Sequence, residues 1–548
     1  MKSSSYILHR VAVILLFAVV LQLNSFAQTG DNIGNEQVDV VKEFNPLIQD
    51  ANKINFPPEP LEVKEEPVEL QYAVPDKLLP LSYPQANLKP LAIAKEKQAS
   101  YFQSFARLGF GTQWSPLAEV RIVEGKPEKF LFGGHGRYRS AHGSKINSQD
   151  YTNTYASLFA DAYGKKSLFR ANASYQQNIN FYYGYDVLGL QPDLKQKQLK
   201  QKFNIADVSM QLLNTKPTLL DYDAKLNFNY MVDKFKLSEF YMNADITMKK
   251  TFKEYHNVSV QIAEDYSVFK DATSVTKNRN IFLVKAKYHF IYKEWNLFGA
   301  VSPVWEVGIF HLFPDLGLQR NLWEDYIILY NGWKMEMRKN SYQSLTQMNP
   351  WLEQITANDL KNGWIEDRFL GLKGTVKKLN YNVRFAQNLY RHMPVYVNDT
   401  TAPQEFKVLY DRRVNILNLH TEVGYRVNTD LQFSFAFDFN NYEEDKLPRI
   451  YHMPRFNARF NTKYTLADKV LLQLDLIGMD GVWARMPNGT DQQLKGTIDL
   501  SLGATYIFSK RFSFFVNLNN LASIKYQRYY LYPSYGFNGM LGATLHFN

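Results

Sequence analysis

Long runs of strict two-residue alternation constrain this chain more than any other feature. Tyr222, Ala224, Leu226, Phe228 and Tyr230 alternate with Asp221, Asp223, Lys225, Asn227 and Asn229. Phe240, Met242, Ala244, Ile246 and Met248 alternate with Tyr241, Asn243, Asp245, Thr247 and Lys249, and Leu431, Phe433, Phe435, Phe437 and Phe439 with Gln432, Ser434, Ala436, Asp438 and Asn440. Successive side chains of a strand point to opposite faces, so each run makes one apolar and one polar face. A β-sandwich alternates too, but its strands usually run about 5–6 residues. Here the alternation often holds for about 10 or more, the length of a tilted strand that crosses a bilayer. Aromatic residues make up 15% of the chain, with 36 Tyr and 38 Phe, which suits girdles at two membrane interfaces. The pattern predicts an all-β fold, a transmembrane antiparallel β-barrel of about 22 strands (range 18–22) over Tyr101–Asn548.

Both ends of the chain fit an outer-membrane protein. Lys2, His9 and Arg10 precede the apolar run Val11–Leu23, and Ser25-Phe26-Ala27 offers small residues for cleavage before Gln28. Residues 1–27 therefore read as a secretory signal peptide. Their apolar run is short of the about 20 residues of a comfortable helical span. At the other end, Phe537, Leu541, Leu545 and Phe547 lie on one face of an alternating terminal segment. A near-terminal aromatic in such a strand resembles the assembly signal read by the barrel assembly machinery; Asn548 after it is a small departure. The chain has no Cys, which excludes disulfides, thiolate metal sites and lipid attachment through Cys.

Residues 28–100 differ in composition. They hold nine of the 22 prolines and carry 12 acidic and 7 basic residues, a net charge of −5. This predicts an extended, Pro-rich acidic segment on the periplasmic side. Residues 101–548 carry 54 basic and 41 acidic groups, a net +13. A basic barrel suits anionic lipid head groups, lipopolysaccharide included, or anionic solutes; a wet lumen with loops of mixed charge explains it equally. Inward positions such as Asp161, Arg170, Asp221, Lys225, Lys287, Arg384 and Asp499 are expected to line the lumen. There they either keep it wet or set a charge preference.

Short turn signals alternate with longer polar links. Gly164–Lys166, Asn214–Pro217, Lys377–Asn380, Asn428–Asp430, Ala467–Lys469 and Ser509–Arg511 are the turns, and Tyr185–Lys202, Asn340–Glu366, Met393–Glu405 and Met486–Leu494 are links. Short turns face the periplasm in such barrels and long loops face outward. An even strand count then puts both ends of the barrel in the periplasm.

No catalytic, cofactor or nucleic-acid motif emerges. His135 and His142 lie close in sequence, as a metal pair or as incidental loop histidines. The expectation is a non-enzymatic protein with no cofactor and no metal.

Several elements together resemble TonB-dependent outer-membrane receptors. Asn517-Leu518-Asn519-Asn520-Leu521 leads through Tyr526 to Tyr532-Pro533-Ser534-Tyr535-Gly536-Phe537 and the closing segment. Asn349-Pro350-Trp351-Leu352 and Met453-Pro454-Arg455-Phe456 match more loosely. The resemblance implies a receptor or transport barrel that moves a solute across the outer membrane. Those receptors carry a plug domain of well over 100 residues, where this chain has 73 between Ala27 and Tyr101. Gln37, Val38, Asp39, Val40 and Val41 form a candidate TonB box, able to pair as an added strand with an energising partner. A second resemblance runs over Val38–Ile54, with Val40-Val41-Lys42, Pro46 and Asp50-Ala51-Asn52-Lys53-Ile54. It is similar to Bacteroidetes receptor-like barrels, one group of which is associated with type IX secretion. That similarity implies the alternative role, a structural or secretion-associated barrel that docks envelope or plug partners through its N-terminal segment. A barrel of this width needs something to fill it.

Overall fold

The computed structural model describes residues 104–547, apart from 127–128, 144, 188–195 and 254. The signal peptide, the Pro-rich segment and Gln37–Val41 lie outside the described residues. Twenty-two strands form one closed antiparallel sheet. Each pairs with the next along the chain, and Ser104–Gly111 closes the ring against Asn538–Phe547 through pairs such as Arg107 with Thr544. Closure leaves no open sheet edge, the condition for a sheet to cross a membrane. No helix among the described residues is long and apolar enough to do so.

The period-two pattern now has a physical meaning. Leu108, Leu158, Ile498 and Leu541 are each more than half exposed on the outer face. In water, exposed apolar area costs about 25 cal/mol per Å²; against lipid chains that cost disappears. Aromatic pairs ring both rims, where amphipathic rings are favoured. Tyr255–Tyr292 and Trp323–Tyr326 lie at one rim. Phe110–Trp114 and Trp305–Phe310 lie at the other.

The rims are built differently. All six turn signals fall on the rim that holds the start of Ser104–Gly111 and the end of Asn538–Phe547. Ala467 and Asp468 there have φ of 49° and 53°, the left-handed pair that matches the twist of a hairpin. The opposite rim carries all the long links. All four differ in extent from the sequence reading: around the link read as Met486–Leu494 the barrel strands end at Asp480 and resume at Thr497, and the strand Lys200–Asn214 begins inside the link read as Tyr185–Lys202. The strand Leu379–Asn398 continues five residues past Met393, leaving residues 399–405 as the link, and the strand after Asn340 begins at Gly363. Leu379–Asn398 and Phe406–Arg426 form a 20- and 21-residue hairpin, about twice what a bilayer crossing needs. Its projecting end stays a strand because it is covered on both sides. Met393, Val395 and Val397 pack with Ile450, Tyr451 and Met453, while Tyr396 packs with Leu345 and Phe406.

Candidate functional site: a roofed lumen

The polar faces of the strands point into the barrel. Across the first strands Arg107 lies opposite Glu119, and Glu119 opposite Arg137. Glu119 is almost fully buried, 3.5 Å from Arg107 Nη1 and 2.9 Å from His135 Nε2. A buried carboxylate needs such partners, since an uncompensated charge there costs several kcal/mol. His135 is thus a partner of an ion pair, and His142 lies 3.5 Å from Asp150 in a different contact. The two histidines do not share a site.

Over this wall lies a roof made by the long links. Residues 339–362 cross the mouth, with a short helix, Tyr342–Met348, capped by Ser341, whose Oγ accepts from Ser344 N. The helix is tethered to the far strands. Tyr342 Oη donates to Asp233 Oδ2 at 2.9 Å. Arg279 donates to Asn340 O at 2.9 Å, Asn362 Oδ1 at 3.0 Å and Glu239 Oε1 at 3.1 Å. Glu239 Oε2 in turn accepts from Gln343 N at 3.1 Å. On the other side an aromatic cluster closes the gap. Trp351 stacks on Tyr532 with ring centres 3.8 Å apart, and Tyr183 meets both edge-on. Trp351 Nε1 donates to Phe181 O at 2.9 Å, Tyr529 Oη to Met348 O at 2.6 Å and Tyr182 Oη to Leu352 O at 2.7 Å. Each aromatic pair is worth about 0.5–1.5 kcal/mol beyond its buried area, and each net hydrogen bond about 0.5–1.5 kcal/mol. Together they hold the roof shut.

Backbone stitching and charge fix the remaining edge. Phe406 N donates to Trp351 O and Glu353 N to Phe406 O, both at 3.0 Å. Burial pushes the Glu353 carboxyl up to about 7, against the pull of Lys407, with Asp399 and Glu405 adding repulsion. Burial also works against the Asp399 carboxylate, but Lys407 and the Thr401 hydroxyl and amide outweigh it and hold it well below the usual range. His452, fully buried in the 444–455 link, is pushed down to about 3 by desolvation, so its imidazole is neutral.

Between the roof and the inward faces of the strands lies a cavity of about 430 Å³, within the range of small-molecule sites, about 300–1,000 Å³. Its lining combines arginines, asparagines and the roof aromatics.

The seven inward positions singled out from sequence do not converge on it. Asp161 and Arg170 form a two-pronged pair, both contacts 2.9 Å. Asp221 builds a turn, accepting from Asn214 Nδ2 and Thr218 N. Lys225 lies 3.2 Å from Asp223, and Lys287 sits 4.0 Å over the Phe298 ring. Arg384 is fully buried on Asp367 and over Phe369, and Asp499 accepts from Ser501 Oγ. They are spread around the wall, and none lines the cavity. Phe537, Leu541, Leu545 and Phe547 project outward, with Phe537 just before the last strand.

Arg107, Glu119, Arg528 and the Asp233, Glu239 and Arg279 tethers were not singled out from sequence. Their partners lie tens to hundreds of residues away, and no local spacing marks them. The one available signal was the crowding of Tyr and Trp in the long links, at Trp351 and from Tyr526 to Tyr535.

Comparison with protein-family models and with curated proteins finds no match. Solved structures do match. A mutant of the ferric enterobactin receptor PfeA from Pseudomonas aeruginosa superposes with a TM-score of 0.63 at 11% identity, covering 81% of this chain and 80% of that one. The siderophore receptor PirA from Acinetobacter baumannii gives 0.64 at 10% identity, covering 81% and 80%. The FrpB iron transporter from Neisseria meningitidis gives 0.64 at 8% identity, covering 81% and 82%. At such identities the likeness establishes the fold alone: this chain is a 22-stranded closed barrel built like those proteins.

Proposed function

We propose that the protein is a non-enzymatic, receptor-type barrel that admits a solute across the outer membrane, its long links facing outward and its short turns and N-terminal segment facing the periplasm. The carrying observation is the roof: a mouth closed by tethered loops over a cavity of small-molecule size. A structural cylinder needs no such chamber, and an open porin needs no such lid. The resemblance to TonB-dependent receptors and the likeness in fold to siderophore and iron receptors support the same reading. In this reading the inward charges bias which solutes pass, the lipid-facing terminal residues guide assembly, and Gln37–Val41 engages an energising partner by strand addition.

Single-channel conductance in a planar bilayer tests it. The full chain should be silent, and loss of the Trp351–Tyr532 stack, through Trp351→Ala with Tyr532→Ala, should produce openings. A barrel that stays silent with the stack removed and residues 28–100 deleted would sink the transport reading. Deleting Gln37–Val41 should abolish energised uptake while leaving the barrel assembled; uptake that survives would remove that motif from the mechanism.

A further inference from the structure

The cavity beneath the roof has a chemical bias. Six charged side chains line it: Arg107, Arg137, Arg139 and Arg528 against Glu119 and Asp150. Four positive against two negative leaves a formal excess of two. Both carboxylates already serve the wall. Glu119 is held by Arg107 and His135. Asp150 Oδ1 accepts from Gly143 N at 3.3 Å and lies 3.5 Å from His142.

Two lining groups are donors in want of an acceptor. Asn517 is 6% exposed, and its buried Nδ2 has no hydrogen-bond partner. Arg528 Nε is likewise buried without one. Its guanidinium lies 5.7 Å from the centre of the Tyr529 ring. A buried donor left unmade costs about 1–3 kcal/mol; neither nitrogen has exposed surface, so a small side-chain shift toward the cavity they line would let each meet an oxygen acceptor from a ligand. Guanidinium groups meet carboxylate or phosphate oxygens in paired fashion. The roof adds the stacked Trp351 and Tyr532 rings with Tyr529 beside them, and aromatic side chains at a cavity wall favour ring-bearing solutes.

We propose, resting on the solute-admitting reading above, that this cavity selects a small anionic solute bearing at least one ring. Its acid group lies on the arginine side, against Arg528 and Asn517, and its ring lies under Trp351 and Tyr532. The shared chemistry, an acid group on a ring, belongs to acidic sugars and to aromatic carboxylates alike.

Calorimetric titration of the detergent-solubilised full chain separates the possibilities. Four probes are used: trigalacturonate (acidic sugar), benzene-1,2,4-tricarboxylate (aromatic acid), maltotriose (neutral rings) and propane-1,2,3-tricarboxylate (acid without a ring). To ensure access, each titration is repeated on Tyr342→Phe, which loosens a roof tether outside the cavity. Binding by one of the two ring acids, at least about tenfold tighter than by the other two probes, is the expected result, and which ring acid wins identifies the source. Arg528→Gln or Asn517→Ala should then weaken that probe about tenfold while thermal unfolding of the barrel is unchanged. Equal binding of maltotriose, equal binding of the acyclic acid, no binding of any probe in either chain, or indifference to both substitutions would overturn the assignment. Liposome permeation keeps this separate from the transport reading. Selective binding with no permeation by an opened roof removes transport and keeps the site; permeation without anion preference does the reverse.

Discussion

The two rims of this barrel close the same sheet by opposite means. On the short-turn rim each connection is solved locally: Ala467 and Asp468 take left-handed angles, and a turn signal of three or four residues reverses the chain. On the long-link rim some hairpins are local as well, such as Glu306 to Ile309, but the long links are held by distant partners. Tyr342 reaches Asp233, 109 residues away in sequence, and Tyr182 reaches Leu352, 170 residues away. Local closure needs only the right turn residues and makes a static edge. Non-local closure needs many groups to arrive together, and what many weak contacts close they can also open. A roof that moves, as the proposed function requires, would belong on the second rim, and the contrast yields graded expectations.

The largest effect should come from cutting the roof at its ion pair. Arg279 and Glu239 have side chains only 3% and 2% exposed, and removing one partner of a buried pair costs about 3–5 kcal/mol. Arg279→Ala should release residues 339–362 to protease while the barrel still resists detergent and heat. A roof as protected as before would mean that the tether is not what holds it.

Next comes the lipid face, which both rims frame. Leu158, 69% exposed on the outer face, should tolerate no charge. Leu158→Arg should cost about 2–4 kcal/mol if it sits near the midplane, read by unfolding titration in liposomes. A neutral result would place it at an interface.

A smaller, pH-dependent effect belongs to the stitched edge. Glu353 has a folded pKa raised to about 7 by burial, from an ordinary 4.5. The folded roof then binds more protons than the released one between those values, so its stability is fullest below about 4.5 and declines as pH rises through 7. Protease nicking of residues 339–362 should be faster at pH 8 than at pH 5.5, and Glu353→Gln should flatten that difference. His452, in the separate 444–455 link, carries the opposite sign: neutral when folded with a pKa pushed down to about 3, it takes up a proton below about 6.5 once released, so its contribution weakens as pH falls below 6.5 and Glu353→Gln isolates the Glu353 part.

The smallest effect is expected at the local rim. Ala467→Gly relieves a left-handed alanine at φ 49°. The strain it removes is about 1–2 kcal/mol, partly offset by the extra freedom of glycine when unfolded. The net gain should be under about 1 kcal/mol, with roof protection unchanged. A change in roof protection would break the claimed independence of the rims.

The barrel itself is legible in the residue pattern. Period-two alternation as in Leu431–Asn440 is a local property with one side fit for lipid, and repeated around a ring it leaves little choice of fold. It also placed the short turns, because Gly164–Lys166 or Ala467–Lys469 reverses the chain through its own backbone angles. What it left undecided is what non-local contact decides. Met393–Asn398 alternates no differently from residues that stop at the membrane, yet it stays a strand because the 444–455 link and the roof cover it. Asp161, Arg170 and Arg384 are inward and charged, as are Arg107 and Arg137, yet only the latter two line the cavity. Alternation fixes the face on which a side chain lies. Its height in the barrel, and which loop meets it, depend on the register of 22 strands and on loops that fold across the mouth, and these the tertiary structure alone supplies.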